Sequence, residues 1–420
     1  MTGLRFCMFT TFYPPHNFGG DGIAIQRLAR AMVDRGHEVT VVHDVDAYNA
    51  LHDGPEPASR EEPEGLRVER LRSGLGRLSP LLTQQLGRPV VNRRRIHRLL
   101  AEGRFDVTMF HNVSLVGGPG LLAQGTGVTL YEAHEHWLVC PTHVLWRHNR
   151  ELCTGRECVR CALSYRRPPQ VWRYTGYLDR QLEHVDAFIA KSEFSREKHR
   201  EFGFPRPMSV IPYFLPEAGP GPEEPSAAPH PRPYFLFVGR LEKIKGLDDV
   251  IPAMRGYGEA DLLIAGDGEY AAHLRGLAAE AHNVRFLGRV DGPTLRSLYR
   301  HAVALLVPSV CWETFGIILI EAFQQGTPVI ARRIGPFPEI VSAGGGGLLF
   351  DDARGLLEAM RTLQAEAGRR QDMALRARRS FEENWSERAV VPRYMDLIHE
   401  VAERKGSRDL ANRIARGAVA

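Results

Sequence analysis

The chain has 420 residues, 43% of them hydrophobic and 25% charged, with a net charge of only +4. That length exceeds what one hydrophobic core usually organises, so two domains are expected, and the ordinary composition excludes a disordered or fibrous chain. The basic side is almost all arginine, with lysine only at 191, 198, 243, 245 and 405; we read this as the mark of a GC-rich coding sequence, and no nucleic-acid partner is expected.

Apolar runs predict strands at Leu4 to Thr10 and Glu38 to His43, with an amphipathic helix from Ile23 to Arg35 between them. Further strands are expected at 107–110, 128–133, 187–190 and 208–211. Residues 216–233, PEAGPGPEEPSAAPHPRP, can neither pack nor pair their backbone and read as a linker. Beyond it, strands at 234–238, 261–265, 284–287, 304–307 and 328–331 alternate with helices, which calls for a second parallel sheet covered on both faces. A closing helix from 385 to 404 has Ser386 as its expected cap and an apolar stripe through Val390, Val391, Tyr394, Leu397, Ile398 and Val401. No apolar run approaches the roughly 18 residues of a membrane span, and the first residues lack a cleavable export signal. A cytoplasmic protein is expected.

The run PSVCWETFGIILIEAFQQGTPVI, from Pro308, reads as strand end, loop, helix and strand, and it places Glu313 and Glu321 eight positions apart. A helix N-terminus offers unpaired amides and a positive dipole end. Phe315, Gly316, Ile317 and Ile318 are therefore expected to cradle a diphosphate, with Gly316 allowing close approach. Glu321 is expected two turns into the helix, about 10 Å down its axis, where it accepts hydrogen bonds from ribose hydroxyls. Upstream, VGRLEKIKGL at 238–247 carries Arg240 and Lys245, and TFYPPHNFGGDG at 11–22 forms a glycine-rich loop between strand and helix. A solvated helix surface for the glutamates and a plain turn for the lysines are the ordinary alternatives.

Together these motifs resemble the retaining glycosyltransferases of family 4, nearly end to end. The resemblance implies an α/β GT-B fold, with two Rossmann-like domains whose parallel sheets face a central cleft. Domains are then expected at 1–215 and 234–384, with residues 385–420 crossing back to the first. It also implies transfer of a hexosyl group from a nucleotide sugar, by preference a UDP-sugar, to a hydroxyl acceptor with retention, in the making of cell-surface glycans or natural products. Arg240 and Lys245 would hold the donor diphosphate without a divalent metal, and Glu313 would face the sugar. Gly19 and Gly20 would approach donor and acceptor, and His134 would contact the sugar near the reacting carbon, or else brace its loop. Gly266 and Val290 would line the base, or else form ordinary turns. A GT-B nucleotide-sugar epimerase and a non-catalytic nucleotide-sugar-binding protein are the rival readings; a Rossmann dehydrogenase is excluded because the first loop lacks G-x-G-x-x-G.

Cys140, Cys153, Cys158 and Cys161 have the spacing C-x12-C-x4-C-x2-C. Four thiols this close suit a structural zinc ion; an iron–sulfur cluster, disulfides and unlinked thiols remain open. The stretch opens with HEHWLVCP at 134–141, similar to H-D-x-W-x-x-C-P of a subset of the family, with Glu135 in place of the aspartate, so a cysteine-rich insertion is expected at about 134–166. Cys7 and Cys311 read as packing residues. Arg88, Arg93, Arg94, Arg95 and Arg98 fall on one probable helix, either a solvated face or a face for peripheral contact with an anionic membrane.

Overall fold

The computed structural model describes residues 3–52, 54–58, 61–217 and 228–417. It forms two compact units: Met1–Tyr213 with Val390–Ala420, and Phe214–Ala389. The central part of the expected linker, 218–227, lies outside the described residues.

In the N-terminal unit the strands are β1 (Arg5–Phe9), β2 (Glu38–Asp44), β3 (Leu66–Leu71), β4 (Val107–Phe110), β5 (Val128–Ala133), the short antiparallel pair β6 (Trp146–Arg147) and β7 (Glu151–Leu152), β8 (Ala187–Ala190) and β9 (Met208–Val210). Seven of them form one parallel sheet in the order β3-β2-β1-β4-β5-β8-β9. Strands β4 and β5 are buried at every position, as a parallel sheet covered on both faces requires. The first helix runs over Gly20–Val33, starting three residues before the expected Ile23, because it begins directly at Gly19.

The C-terminal unit contains β10 (Tyr234–Val238), β11 (Asp261–Ala265), β12 (Val284–Gly288), β13 (Ala304–Val307), β14 (Val329–Arg332) and β15 (Gly347–Phe350), all parallel, in the order β12-β11-β10-β13-β14-β15. Phe235, Phe237, Leu262, Ile264, Leu306 and Ile330 form its buried core with the helices on either side.

Both sheets reverse their strand order once, between β1 and β4 and between β10 and β13. Such a switch point opens a crevice at the carboxyl ends of the two strands, where open α/β sheets bind ligands. The closing helix spans Glu387–Arg404, and from Val390 the chain belongs to the N-terminal unit. There Tyr394 reaches the sheet: its hydroxyl donates to Glu132 at 2.9 Å. Ser386 precedes this helix and donates its hydroxyl to the Glu382 carbonyl of the helix before it.

Candidate active site

In the C-terminal unit the switch crevice is bounded by the segments that follow β10 and β13. Chain entry after β10 depends on glycine: Gly239 and Gly266 both have left-handed backbone, and a Cβ on Gly266 would lie 1.9 Å from the Gly239 carbonyl oxygen. Gly266 thus lets the β10 and β11 loops pass in contact. The backbone then makes a 3-10 turn at Lys243–Lys245, closed by left-handed Gly246. Here a Cβ would strike the Pro308 carbonyl at 2.1 Å, so the loop after β10 lies against the loop after β13, and the Val310 amide donates to Ile244 at 2.9 Å.

Across this seam Lys245 Nζ lies 2.8 Å from Glu313 Oε1, which also accepts from Ser309 Oγ at 2.8 Å. Burial works against both charges but their attraction outweighs it. Lys245 is raised above its ordinary value, and Glu313 is held below the usual carboxylate range by Lys245, Ser309 and Arg240. Arg240 is more than half exposed, with its guanidinium 3.0 Å from Glu242. A cation held against Glu313 and an exposed guanidinium therefore share one rim.

The helix that follows spans Ile317–Gln324, with Gly316 before it at φ 101°. That glycine is needed twice, since a Cβ would also lie 2.7 Å from the Phe337 ring. The Phe315 side chain is buried, and Ile317 and Ile318 are the first two residues of the helix, whose amides have no acceptor a turn earlier within it. Glu321 is only the fifth residue of this helix, about 6 Å from its start rather than about 10 Å, because the helix begins only at Ile317, after Gly316. Its Oε2 accepts from the Tyr299 hydroxyl at 3.2 Å. Val290 lies in the loop after β12, directly before Asp291, whose side chain caps the next helix by accepting from the Thr294 amide.

In the N-terminal unit Gly19 and Gly20 sit at the head of the first helix, at the carboxyl end of β1. The neighbouring loop after β4 is tied to this one: Thr11 donates its amide to Asn112, and Leu115 donates to Thr11 Oγ1. Asp21 is pushed upward by burial and by the charge of Glu135, against hydrogen bonds from the Gly22 amide and Asn112.

His134 ends up deep at the carboxyl end of β5. Its Nε2 lies 2.9 Å from His111 Nδ1, and its Nδ1 lies 2.7 Å from the Tyr213 hydroxyl. Beneath it Glu132 is paired with Lys191, itself donating to Tyr394 and to the Ile211 carbonyl. His111 Nδ1 also lies 3.3 Å from Glu132 Oε2. Burial lowers His134 to about 3 despite Glu132. Both ring nitrogens therefore have protein partners, an arrangement that fits the bracing alternative for this residue. His111, Glu132 and His134 are also, among the described residues, a group whose ligand atoms all lie within 4.8 Å of one another, and Glu132 there is already paired with the Lys191 ammonium. Sequence reasoning missed His111, Glu132, Lys191 and Tyr394; the available signal was a rare lysine directly after an apolar strand.

The four cysteines line one small cavity together with Pro141, Thr142 and Trp146. All four are free thiols. Of the arginines, Arg88, Arg93, Arg94, Arg95 and Arg98 are exposed, and Arg95 pairs with Glu69 at 3.1 Å. Arg95 and Arg98 line a cavity of about 320 Å³ at the amino ends of β1 to β3, away from the switch crevice.

Residues 223–380 match the family model of group 1 glycosyl transferases, and residues 19–213 match that of the glycosyl transferase 4-like domain. The chain is a GT-B glycosyltransferase of the family 4 type. It is similar to glycogen synthase of Mycobacterium tuberculosis, 27% identical over 96% of each chain. An uncharacterized glycosyltransferase of Methanocaldococcus jannaschii is 42% identical over 113 residues, 26% of this chain and 29% of that one. In fold it resembles Anabaena HepE, solved in complex with UDP, at 17% identity and a TM-score of 0.64 over 94% of this chain and 100% of that one.

Proposed function

We propose that the chain moves a hexosyl group from a UDP-sugar to a hydroxyl acceptor with retention of anomeric configuration. The observation that carries this reading is the Lys245–Glu313 contact across the switch crevice, at the head of a glycine-led helix and beside Arg240. Departure of the nucleoside diphosphate places negative charge on the β-phosphate. Lys245, Arg240 and the amides of Phe315, Gly316, Ile317 and Ile318 answer it with fixed positive charge and dipoles, so the diphosphate needs no divalent metal. Glu313, kept ionised by Lys245, faces the sugar, where positive charge develops at the anomeric carbon. Glu321 accepts from the ribose hydroxyls, and Gly266 and Val290 present backbone to the base. On the acceptor side Gly19 and Gly20 border the hydroxyl. As the bond from the anomeric carbon to the phosphate oxygen breaks, the acceptor oxygen attacks from the same face, and the departing phosphate oxygen takes its proton. UDP in the HepE complex supports the choice of nucleotide.

Glu321→Ala removes the ribose acceptor. UDP affinity measured by calorimetry is expected to fall by about 10-fold or more, the worth of a hydrogen bond to a charged group; unchanged affinity excludes Glu321 from the donor site.

A membrane-borne acceptor is favoured by a further observation. Leu75, Leu78, Leu81, Leu86 and Val90 are exposed immediately before the exposed Arg93 and Arg94, the pairing of apolar and basic groups that anionic lipid surfaces attract. Cosedimentation with phosphatidylglycerol vesicles that weakens on Arg93→Glu/Arg94→Glu substitution is expected, and equal recovery with neutral vesicles contradicts it.

A further inference from the structure

We propose that Cys140, Cys153, Cys158 and Cys161 hold one zinc ion as four thiolates, with Arg173 as the counter-charge of that centre. Three independent features of the segment between β5 and β8 lead there. First, the four sulfurs line a single cavity of about 20 Å³, space for one ion, and the His148 amide already donates to Cys161 Sγ at 3.3 Å. Amide donors of this kind favour a thiolate over a thiol. Zinc–sulfur bonds of about 2.3 Å would draw the four sulfurs to roughly 3.8 Å from one another.

Second, the backbone there is strained without a visible cause. His143, Leu145, His148, Asn149 and Arg166 all have left-handed φ, while elsewhere among the described non-glycine residues Arg104 alone does. Such conformations cost of order 1 kcal/mol or more each and persist only where the surroundings impose them. The local regular structure is a pair of two-residue strands and the short helix Cys158–Ser164, too little to impose five of them. A metal bound to four points of the loop supplies the missing constraint.

Third, Arg173 lies stacked on the rings of Trp137 and Trp172, at 5.2 and 4.7 Å, and donates to the Trp137 carbonyl and the Gln170 amide oxygen. Those acceptors are neutral, and Trp137 stands three residues before Cys140 in the chain. Zinc binding releases four protons and leaves a centre of net charge −2, which an adjacent guanidinium stabilises.

Metal analysis of the full-length chain is expected to give about one zinc per chain, and a cobalt-substituted sample the visible bands of tetrahedral thiolate coordination. Cys158→Ser should lose more than nine-tenths of the zinc, and Arg173→Gln should release zinc to a chelator at least about 10-fold faster, with Arg173→Lys partly restoring retention. Wild-type stoichiometry decides the matter even if a variant fails to fold: a metal-free chain with four reactive thiols, a disulfide, or an iron–sulfur chromophore each overturns the proposal.

Discussion

Lys245→Ala is expected to lower kcat by about 10²-fold or more, because the lost ammonium stabilises charge that appears on the leaving phosphate only as the donor bond breaks. The structure gives the loss two components. Lys245 is the cation seated against Glu313 at 2.8 Å, so its removal deprives the phosphate of a fixed charge. It also removes the main influence holding Glu313 below the ordinary carboxylate range, leaving burial opposed only by Ser309 and Arg240. The Glu313 carboxyl then titrates higher, and the variant loses activity on acidification at a higher pH than the parent. The sign follows from the depressed folded value: the benefit of ionised Glu313 is present above its titration and is lost as pH falls through it. Steady-state kinetics should show kcat and kcat/KM falling together, the pattern of an interaction made in the transition state. Turnover within a few-fold of the parent removes Lys245 from the mechanism.

Lys191→Met is expected to destabilise the N-terminal unit by about 3–5 kcal/mol, the usual cost of leaving one member of a buried ion pair alone. Lys191 is wholly buried and Glu132 nearly so, and Glu132 also accepts from Tyr394 and lies 3.3 Å from His111. Without the ammonium, Glu132 must stay charged and unpaired or take up a proton and disturb His111 and His134. Because Tyr394 belongs to the closing helix, the same substitution should loosen residues 390–417 from the sheet, readable as faster amide exchange there. Adding Glu132→Leu should recover much of the loss, since replacing both partners by apolar groups is often close to neutral. A double variant no more stable than Lys191→Met would show that the pair is not the origin of the effect.

The parts of this molecule legible in the sequence are those where chemistry and local structure coincide. Strands such as Val128–Ala133 are continuous apolar runs because both faces are covered, and Glu313, Lys245 and Arg240 lie just past strand ends, where a parallel sheet puts its ligands. What was not legible arises from tertiary contact. The pairing of Lys191 with Glu132 and Tyr394 joins segments up to 262 residues apart, and no periodicity announces it. Gly316 read as a glycine that lets an anion approach; its left-handed φ and the Phe337 ring behind it require glycine regardless of any ligand. The depth of Glu321 was overestimated because a loop of unknown course preceded the helix. His134 was recognisable as a strand-end histidine, but its two ring partners, His111 and Tyr213, come from the ends of other strands.

The most direct test of the account is calorimetric titration of UDP into the full-length chain in the presence of EDTA. Micromolar binding without divalent metal, weakened by Glu321→Ala and stronger than GDP binding, is the result expected of a diphosphate held by Lys245, Arg240 and a helix N-terminus. Absence of UDP binding in EDTA, restored by magnesium or manganese, would contradict that reading of the site.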